Sequence, residues 1–280
     1  MQFALSPVFW QGQWVQGKDL SAADLYRFWA LNDGFFETMH YDGHQVLWAA
    51  SHRLRFTNSL KALHLIFPED VKPIFATGWT LPSHLNTPAT LRLNCWRQGE
   101  GTYPSSCQAS HWMLQVRPAV NPQFAQSVRC ETLQPVHVQG SEGESTGKFP
   151  NQFYSKAAFG LPHEVEALLI RNHDSLIETP SANIFIRTQQ GRWITPELGS
   201  GCLPGITRSR LLQIFRREGV EVTESKVTLT DLDEAETCWL TNTTYGIRAV
   251  ERWQNRWFDP GPQETFRNLL YKDGIEDKSM

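Results

Sequence analysis

The spacing of apolar and polar residues predicts alternating strands and helices in the first third of the chain. Residues 34–41 and 45–48 have strand-like composition, and Asp42-Gly43 between them is typical of a hairpin turn. From residue 49 to 64 apolar side chains recur at helical intervals, which predicts a helix. Two more strands are predicted at residues 89–96 and 111–116, on either side of a polar, glycine-containing loop.

A change in composition near residue 117 predicts a boundary between two domains. The sequence Arg-Pro-Ala-Val-Asn-Pro at residues 117–122 has the proline-bounded character of a linker, and a second series of strands and helices follows it. We therefore expect a small N-terminal α/β domain over residues 1–117, a linker over 118–124 and a larger domain over 125–280.

Length and charge favour a small-molecule ligand over a macromolecular one. The chain has 280 residues, a net charge of −3 and no run of Lys or Arg, so neither nucleic acid nor an anionic membrane is an expected partner. No secretory signal or stretch of roughly 20 apolar residues is visible. The five cysteines are odd in number and scattered, which suits reduced thiols in the cytoplasm better than disulfides or a metal site.

The segment Leu203-Pro204-Gly205-Ile206-Thr207-Arg208 reads as a loop that opens onto a helix. The first N–H groups of a helix have no intrahelical acceptor, and the helix dipole adds positive charge, so a phosphate can bind there. Gly205 would supply a flexible approach and Thr207 a hydroxyl. The apolar pattern continues to a stop at Gly219. Taken alone, such a turn is more often only a connection.

Three further features follow a consistent order along the second half. Lys148 precedes a predicted helix, and lysine is the side chain that forms a Schiff base with an aldehyde. Lys156 is a nearby competitor. Glu178 lies between apolar strand segments among small residues, which suits a buried, paired carboxylate. Residues 241–244 end a strand in hydroxyl-bearing side chains that suit phosphate contacts.

This order resembles the class IV, fold type IV pyridoxal-phosphate enzymes. The resemblance rests on Lys148, on Glu178 followed by Asn183-Ile-Phe, on Thr195-Pro196, on the 203–208 segment and on Thr-Asn-Thr at 241–243. The group includes branched-chain and D-amino-acid aminotransferases and aminodeoxychorismate lyase. It implies an α+β fold of two domains, a small α/β domain and a larger mixed α/β barrel-like domain, with pyridoxal 5'-phosphate bound by the larger one.

The same resemblance assigns the cofactor contacts. Lys148 would form the Schiff base and act as the catalytic acid and base, and Glu178 would pair with the pyridine nitrogen. An arginine at Arg55, with Arg53 as an alternative, would bind the phosphate. The remaining cofactor-binding residues that it implies are Asn183, Ile206, Thr207 and Thr243.

The substrate contacts implied by the resemblance are Phe35 or Phe36, Tyr154 and Thr244. Other members carry an arginine for a substrate carboxylate near the position of Thr102. Here Arg97 either replaces that arginine or serves as a structural partner.

The resemblance implies an aminotransferase that moves an amino group from an amino donor to a 2-oxo acid acceptor, acting as a homodimer. A lyase that releases pyruvate and 4-aminobenzoate from aminodeoxychorismate is the first alternative. The second is a non-catalytic relative that binds a ligand on the same scaffold.

Overall fold

A computed structural model of the chain describes residues 7–76, 78–99, 106–119, 127–132, 165–171 and 175–277. Contacts between Cα atoms divide these residues into two compact units. The first holds residues 7–119 together with Asp277, and the second holds the described residues between 127 and 276.

The first unit contains an antiparallel sheet of five strands. They are β1 (Pro7–Trp10), β2 (Gln13–Gln16), β3 (Gly34–Tyr41), β4 (Ala89–Arg97) and β5 (Ser110–Pro118). Their order across the sheet is β2-β1-β5-β4-β3. Because side chains alternate along a strand, the two faces of β3 differ. Phe35, Met39 and Tyr41 lie in the core on one face, whereas Phe36 and Thr38 are half-buried on the other.

Two α-helices and three short 3-10 helices complete this unit. They are α1 (Ala22–Ala30) and α2 (Ala49–Ala62), with 3-10 helices at Gly17–Asp19, Glu69–Phe75 and Ser83–Leu85. Helix α1 begins with a capping box, in which the Ser21 side chain accepts from the Asp24 N–H and the Asp24 carboxylate accepts from the Ser21 N–H. The buried positions of α2 are 52, 55, 56, 59 and 60, so one helical stripe faces the sheet.

The predicted hairpin at residues 34–48 is partly wrong. Its first strand and its turn are present, and Asp42 accepts hydrogen bonds from the N–H groups of His44 and Gln45. The second strand is reduced to one bridge between Tyr41 and Val46. The physical reason is that Trp48 adopts a left-handed conformation, with φ of 53°, that turns the chain directly into α2.

The other predicted elements of this unit are confirmed with small changes at their ends. The helix predicted at 49–64 is α2, and the strands predicted at 89–96 and 111–116 are β4 and β5. Strand β5 extends to Pro118, so the predicted linker at 118–124 overlaps its last residue.

Among the residues that the structure describes, the second unit contains ten strands in a mixed sheet. They are β6 (Val128–Thr132), β7 (Val165–Arg171), β8 (Ser175–Glu178), β9 (Asn183–Arg187), β10 (Trp193–Pro196), β11 (Val222–Ser225), β12 (Val227–Thr228), β13 (Thr237–Asn242), β14 (Gly246–Trp253) and β15 (Arg256–Trp257). Their order is β11-β10-β9-β13-β14-β6-β7-β8-β12, with β15 beside β14. Strands β8 and β9 also pair with each other at Glu178 and Asn183. This pairing closes β8, β9, β13, β14, β6 and β7 into a ring, so the unit is barrel-like.

Among the described residues, three α-helices accompany the second sheet. They are α3 (Ile206–Arg217), α4 (Leu229–Glu234) and α5 (Gln263–Glu276), with a 3-10 helix at Leu198–Ser200. Two of them, α3 and α5, pack on the face that carries Phe185 and Trp239. Phe215 of α3 and Phe266 of α5 stack edge to face at 4.8 Å. Phe185 of β9 and Trp239 of β13 lie 6.0 and 6.3 Å from the Phe215 ring. These rings hold α3 against the sheet.

None of the helices within the described residues is long and apolar enough to cross a membrane.

A buried charge cluster fixes one corner of the first unit. Asp33, 7% exposed, accepts hydrogen bonds from Arg27 at 2.6 and 3.0 Å and from Arg97 at 3.2 Å. Arg97 also donates to the backbone carbonyls of Cys107 and Leu63, both at 2.5 Å. The cluster therefore joins α1, the start of β3 and the end of β4.

Removal of the Asp33 carboxylate should strongly destabilise the protein. In Asp33→Ala, the buried Arg27 and the half-buried Arg97 lose their shared anion, and we expect the free energy of unfolding to fall by about 3–5 kcal/mol. Urea unfolding measures the change. The control is Glu69→Gln, because Glu69 is 73% exposed in its ion pair with Lys72. This substitution should lower the free energy of unfolding by under about 0.5 kcal/mol. Equal effects of the two substitutions would contradict this role for Asp33.

Candidate active site

A tight turn between β8 and β9 brings Glu178 and Asn183 opposite each other. The Thr179 N–H donates to the Ala182 carbonyl at 2.8 Å. The Thr179 hydroxyl accepts from the N–H groups of Ser181 and Ala182 at 3.2 and 2.9 Å. Pro180 follows Thr179, the turn position where its fixed φ is favourable. Local sequence therefore sets the register that pairs Glu178 with Asn183.

The Glu178 carboxylate is buried and accepts hydrogen bonds from a side-chain amide and a backbone N–H. It is 3% exposed, and its Oε2 atom accepts from Asn183 Nδ2 at 3.0 Å and from the Leu203 N–H at 2.8 Å. Asn183 Nδ2 also donates to the Leu203 carbonyl at 2.8 Å. Both polar backbone groups of Leu203 are thus bound by the β8–β9 turn. This arrangement fixes the loop before α3 against the carboxylate.

Only glycine fits at position 205, because the backbone there passes close to the Asn183 side chain. A Cβ atom on Gly205 would lie 2.1 Å from Asn183 Oδ1, which is closer than any real contact. The predicted reason, flexibility, is wrong, because the φ of Gly205 is −63°, an ordinary value for any residue. The absence of a Cβ atom lets the backbone before α3 pass beside Asn183.

The first turn of α3 has the features of an anion site. Gly205 is the N-cap residue and provides no side-chain cap, and the turn contains no acidic residue. Thr207 is 1% exposed, and its buried hydroxyl has no hydrogen-bond partner among the residues that the structure describes. An unpaired buried hydroxyl is costly, so a bound group that pairs with it would be stabilised. A phosphate fits this combination of N–H groups, hydroxyl and helix dipole.

The end of β13 approaches the same turn. Thr241 pairs with Asn183 across the sheet, and Asn242 Nδ2 donates to the Ser181 carbonyl at 3.1 Å. Asn242 Oδ1 accepts from the N–H groups of Thr244 and Tyr245 at 2.9 and 3.0 Å. The half-buried Thr243 and Thr244 therefore lie in a turn anchored beside the β8–β9 turn.

A family model described as amino-transferase class IV matches residues 34–253, which is most of the chain. The chain belongs to the class IV aminotransferase family. The fold agrees, since the chain superposes on a hypothetical aminotransferase from Mycobacterium tuberculosis, solved in its PLP-bound form, with a TM-score of 0.77. That structure is 20% identical, and the match covers 98% of this chain and 100% of the other. The predicted two-domain fold type IV architecture is confirmed, and the cofactor of the family is pyridoxal phosphate.

Curated relatives represent two activities. A probable branched-chain-amino-acid aminotransferase of Thermotoga maritima is 32% identical over 100 residues, which are 35% of this chain and 36% of that protein. The aminodeoxychorismate lyase of Bacillus subtilis is 28% identical over 142 residues, which are 50% of this chain and 48% of that protein. The aligned part therefore spans half or less of the length of these two relatives.

The structure brings together most of the predicted cofactor residues of the second unit. Glu178 and Asn183 are hydrogen-bonded to each other, Ile206 and Thr207 open α3, and Thr243 follows β13. Lys148 and Tyr154 lie outside the described residues. The same holds for Lys156 and Thr102.

In the first unit, Arg55 is buried and paired with a carboxylate, whereas Arg53 lies at the surface. Arg53 is exposed, whereas Arg55 is 9% exposed and donates twice to Glu37, at 2.7 and 2.6 Å. His52 Nδ1 contacts the same carboxylate at 2.9 Å. Burial raises the pKa of Glu37, but the Arg55 charge and the hydrogen bonds from His52 and Arg55 outweigh burial and leave the pKa below its ordinary value. Sequence analysis missed Glu37, because a single acid in an apolar strand does not reveal its partners.

The predicted substrate residues of the first unit have different environments. Phe35 is 1% exposed and packs on Phe56 in the core, whereas Phe36 is half-buried on the opposite face. Arg97 is engaged by Asp33 and two carbonyls, which favours the structural alternative. Arg92 was missed, although the alternation of residues 89–94 places it on the Phe36 face. Its guanidinium lies 3.7 Å from the centre of the Phe36 ring.

Gly205→Ala should disturb this junction. The new methyl group would displace Asn183 and break its bonds to Glu178 and Leu203, so we expect a loss of about 1–3 kcal/mol in the free energy of unfolding. We also expect weaker retention of pyridoxal phosphate during dialysis.

Gly199→Ala is the matched control, because a Cβ there meets no atom within 4 Å. It should change stability by under about 0.5 kcal/mol. If Gly205→Ala were as stable as the control and retained the cofactor equally, the close approach at Gly205 would be unimportant.

Proposed function

We propose that the protein is a pyridoxal-phosphate-dependent aminotransferase that transfers an amino group between an amino acid or amine and a 2-oxo acid. The observation that carries this proposal is the buried Glu178 carboxylate fixed beside the first turn of α3, where the Thr207 hydroxyl lacks a described partner. An anion-binding helix end and a buried carboxylate fit the two ends of this cofactor.

Each residue of the site would have a separate task. The N–H groups of Ile206 and Thr207, the Thr207 hydroxyl and Thr243 would bind the phosphate. Glu178 would hold a proton on the pyridine nitrogen, and Asn183 would keep that carboxylate in place. When bound, pyridoxal phosphate supplies an electron sink for the electrons released at the substrate Cα.

We propose that Lys148 bonds covalently to the cofactor and that its Nζ atom moves the proton on and off the substrate Cα. Arg55, rather than Arg53, is proposed as the phosphate-binding arginine of the first unit. The support is its place in the family pattern, and the Glu37 carboxylate would fix the direction of its guanidinium. The support for Lys148 is its place in the motif order of the family.

On the substrate side, we propose Phe36 as the contact residue in place of Phe35. If the strand lines the substrate pocket, only the half-buried face of β3 is available, because Phe35 lies in the core. Arg92, stacked on Phe36, supplies a cation on that face for a substrate carboxylate. Thr38 lies directly opposite Arg92 in the register. Tyr154 and Thr244 stay predicted substrate contacts.

A second candidate is the aminodeoxychorismate lyase reaction, favoured by the relative of Bacillus subtilis that aligns with half of this chain. Lys148 would again remove the Cα proton while Glu178 holds the proton on the pyridine nitrogen, and loss of pyruvate would follow.

We further propose a homodimer that works in the cytoplasm. Large apolar side chains on the first unit, including Trp29, Leu54 and Ile66 at 60–64% exposure, offer surface for a second copy. No disulfide links any of the five cysteines, all of which lie within the described residues, and this suits a reducing compartment.

An amino-donor and acceptor screen distinguishes the proposed reactions. We expect purified protein to convert a 2-oxo acid to its amino acid only when a donor is supplied, monitored by chromatography of both products. Release of pyruvate from aminodeoxychorismate without an acceptor would instead assign the lyase reaction. Failure to bind pyridoxal phosphate would contradict both.

Lys148→Ala should abolish turnover and the visible absorption band of the covalently bound cofactor, because no other side chain takes its place in the motif order. Absorption spectroscopy before and after borohydride reduction measures the band. Lys156→Ala is the control and should keep both properties. Full activity in Lys148→Ala would show that the lysine assignment is wrong.

A further inference from the structure

Arg208 occupies an electrostatically unfavourable position in α3. It is the third residue of the helix and is 3% exposed. A cation in the first turn of a helix opposes the helix dipole, and a buried cation needs a partner. Helix stability therefore does not explain an arginine here.

The contacts of Arg208 lead to the strands beneath the helix. Its Nη2 atom donates to the Pro196 carbonyl at 2.8 Å and to Glu224 Oε2 at 2.9 Å. Pro196 is the last residue of β10, and Glu224 lies in β11, which runs parallel to β10. One guanidinium thus joins the first turn of α3 to two neighbouring strands.

The loop that Arg208 spans carries the groups proposed to bind the cofactor. It leaves β10 at Pro196 and enters α3 at Gly205, and in between the Leu203 N–H donates to Glu178. Cys202 Sγ lies 3.5 Å from the Pro196 carbonyl that Arg208 also binds. A shift of α3 relative to β10 would therefore move the Thr207 hydroxyl and the first N–H groups of the helix.

We propose that Arg208 is a positioning residue for the phosphate of the cofactor. By holding the first turn of α3 on Pro196 and Glu224, it fixes the donors of that turn before the phosphate arrives. Because its Nη2 atom binds Pro196 and Glu224, Arg208 would act on the phosphate through the donors of Ile206 and Thr207. This inference rests on the proposed phosphate site.

The test compares pyridoxal phosphate with pyridoxal, which lacks the phosphate. Dissociation constants of both ligands are measured by absorbance titration of the cofactor-free, full-length protein. In Arg208→Met we expect the constant for pyridoxal phosphate to rise about tenfold or more, as for loss of a charged hydrogen bond. The constant for pyridoxal should change by less than about threefold, because only the phosphate donors move.

Three further variants keep the test decisive. Arg208→Lys retains the charge but not the planar fork and should give a partial loss. Glu224→Gln removes the anionic partner and should produce the same pattern more weakly. Arg216→Met is the control, since the Arg216 side chain is 65% exposed and contacts Glu224 at 3.4 Å. This substitution should leave both dissociation constants unchanged. Should Arg208→Met fail to fold, Arg208→Lys and Glu224→Gln decide the question.

If Arg208 had a merely structural role, its substitution would weaken the binding of both ligands equally or lower only the melting temperature. Either result would overturn the inference. If the wild-type protein bound pyridoxal phosphate no more tightly than pyridoxal, the phosphate site itself would be wrong. The inference alone fails when the wild type discriminates between the ligands and the Arg208 variants discriminate equally well.

Discussion

The pairing of Glu178 with Asn183 is the contact on which the second unit depends most. It closes six strands into a ring, and the same two side chains share a hydrogen bond of 3.0 Å. Because Glu178 also accepts from Leu203, the contact that closes the ring holds the loop before α3. Fold and site are therefore built by one small group of atoms.

The same contact places neutral hydrogen-bond donors beside the buried Glu178 carboxylate. Glu178 is bound by an amide and a backbone N–H, two neutral donors that stabilise its charge without neutralising it. A carboxylate in this environment is suited to a cationic ring nitrogen, which is the role proposed for it. At the opposite end of the proposed ligand lies a helix terminus, where the Thr207 hydroxyl has no hydrogen-bond partner among the described residues. The two ends thus offer complementary charge to a molecule with a cationic ring and an anionic phosphate.

Short segments of the sequence predict the local structure well. The 203–208 segment predicts α3 and its N-terminus, and the β3, α2, β4 and β5 elements follow from local periodicity. Such segments do not predict a role that long-range contacts decide. Arg97 is bound by Asp33, 64 residues away in sequence, and Glu37 by Arg55, 18 residues away. The constraint on Gly205 comes from Asn183 across the junction. No local pattern specifies such partners, because tertiary packing determines them.

The central claim is that the β8–β9 turn and the first turn of α3 together hold pyridoxal phosphate. A crystal structure of the protein with this cofactor tests it most directly. The account predicts a phosphate oxygen within hydrogen-bonding distance of the Thr207 hydroxyl and the Ile206 or Thr207 N–H, with the pyridine nitrogen facing Glu178. A cofactor bound with its phosphate away from α3, or with its ring nitrogen remote from Glu178, would contradict it.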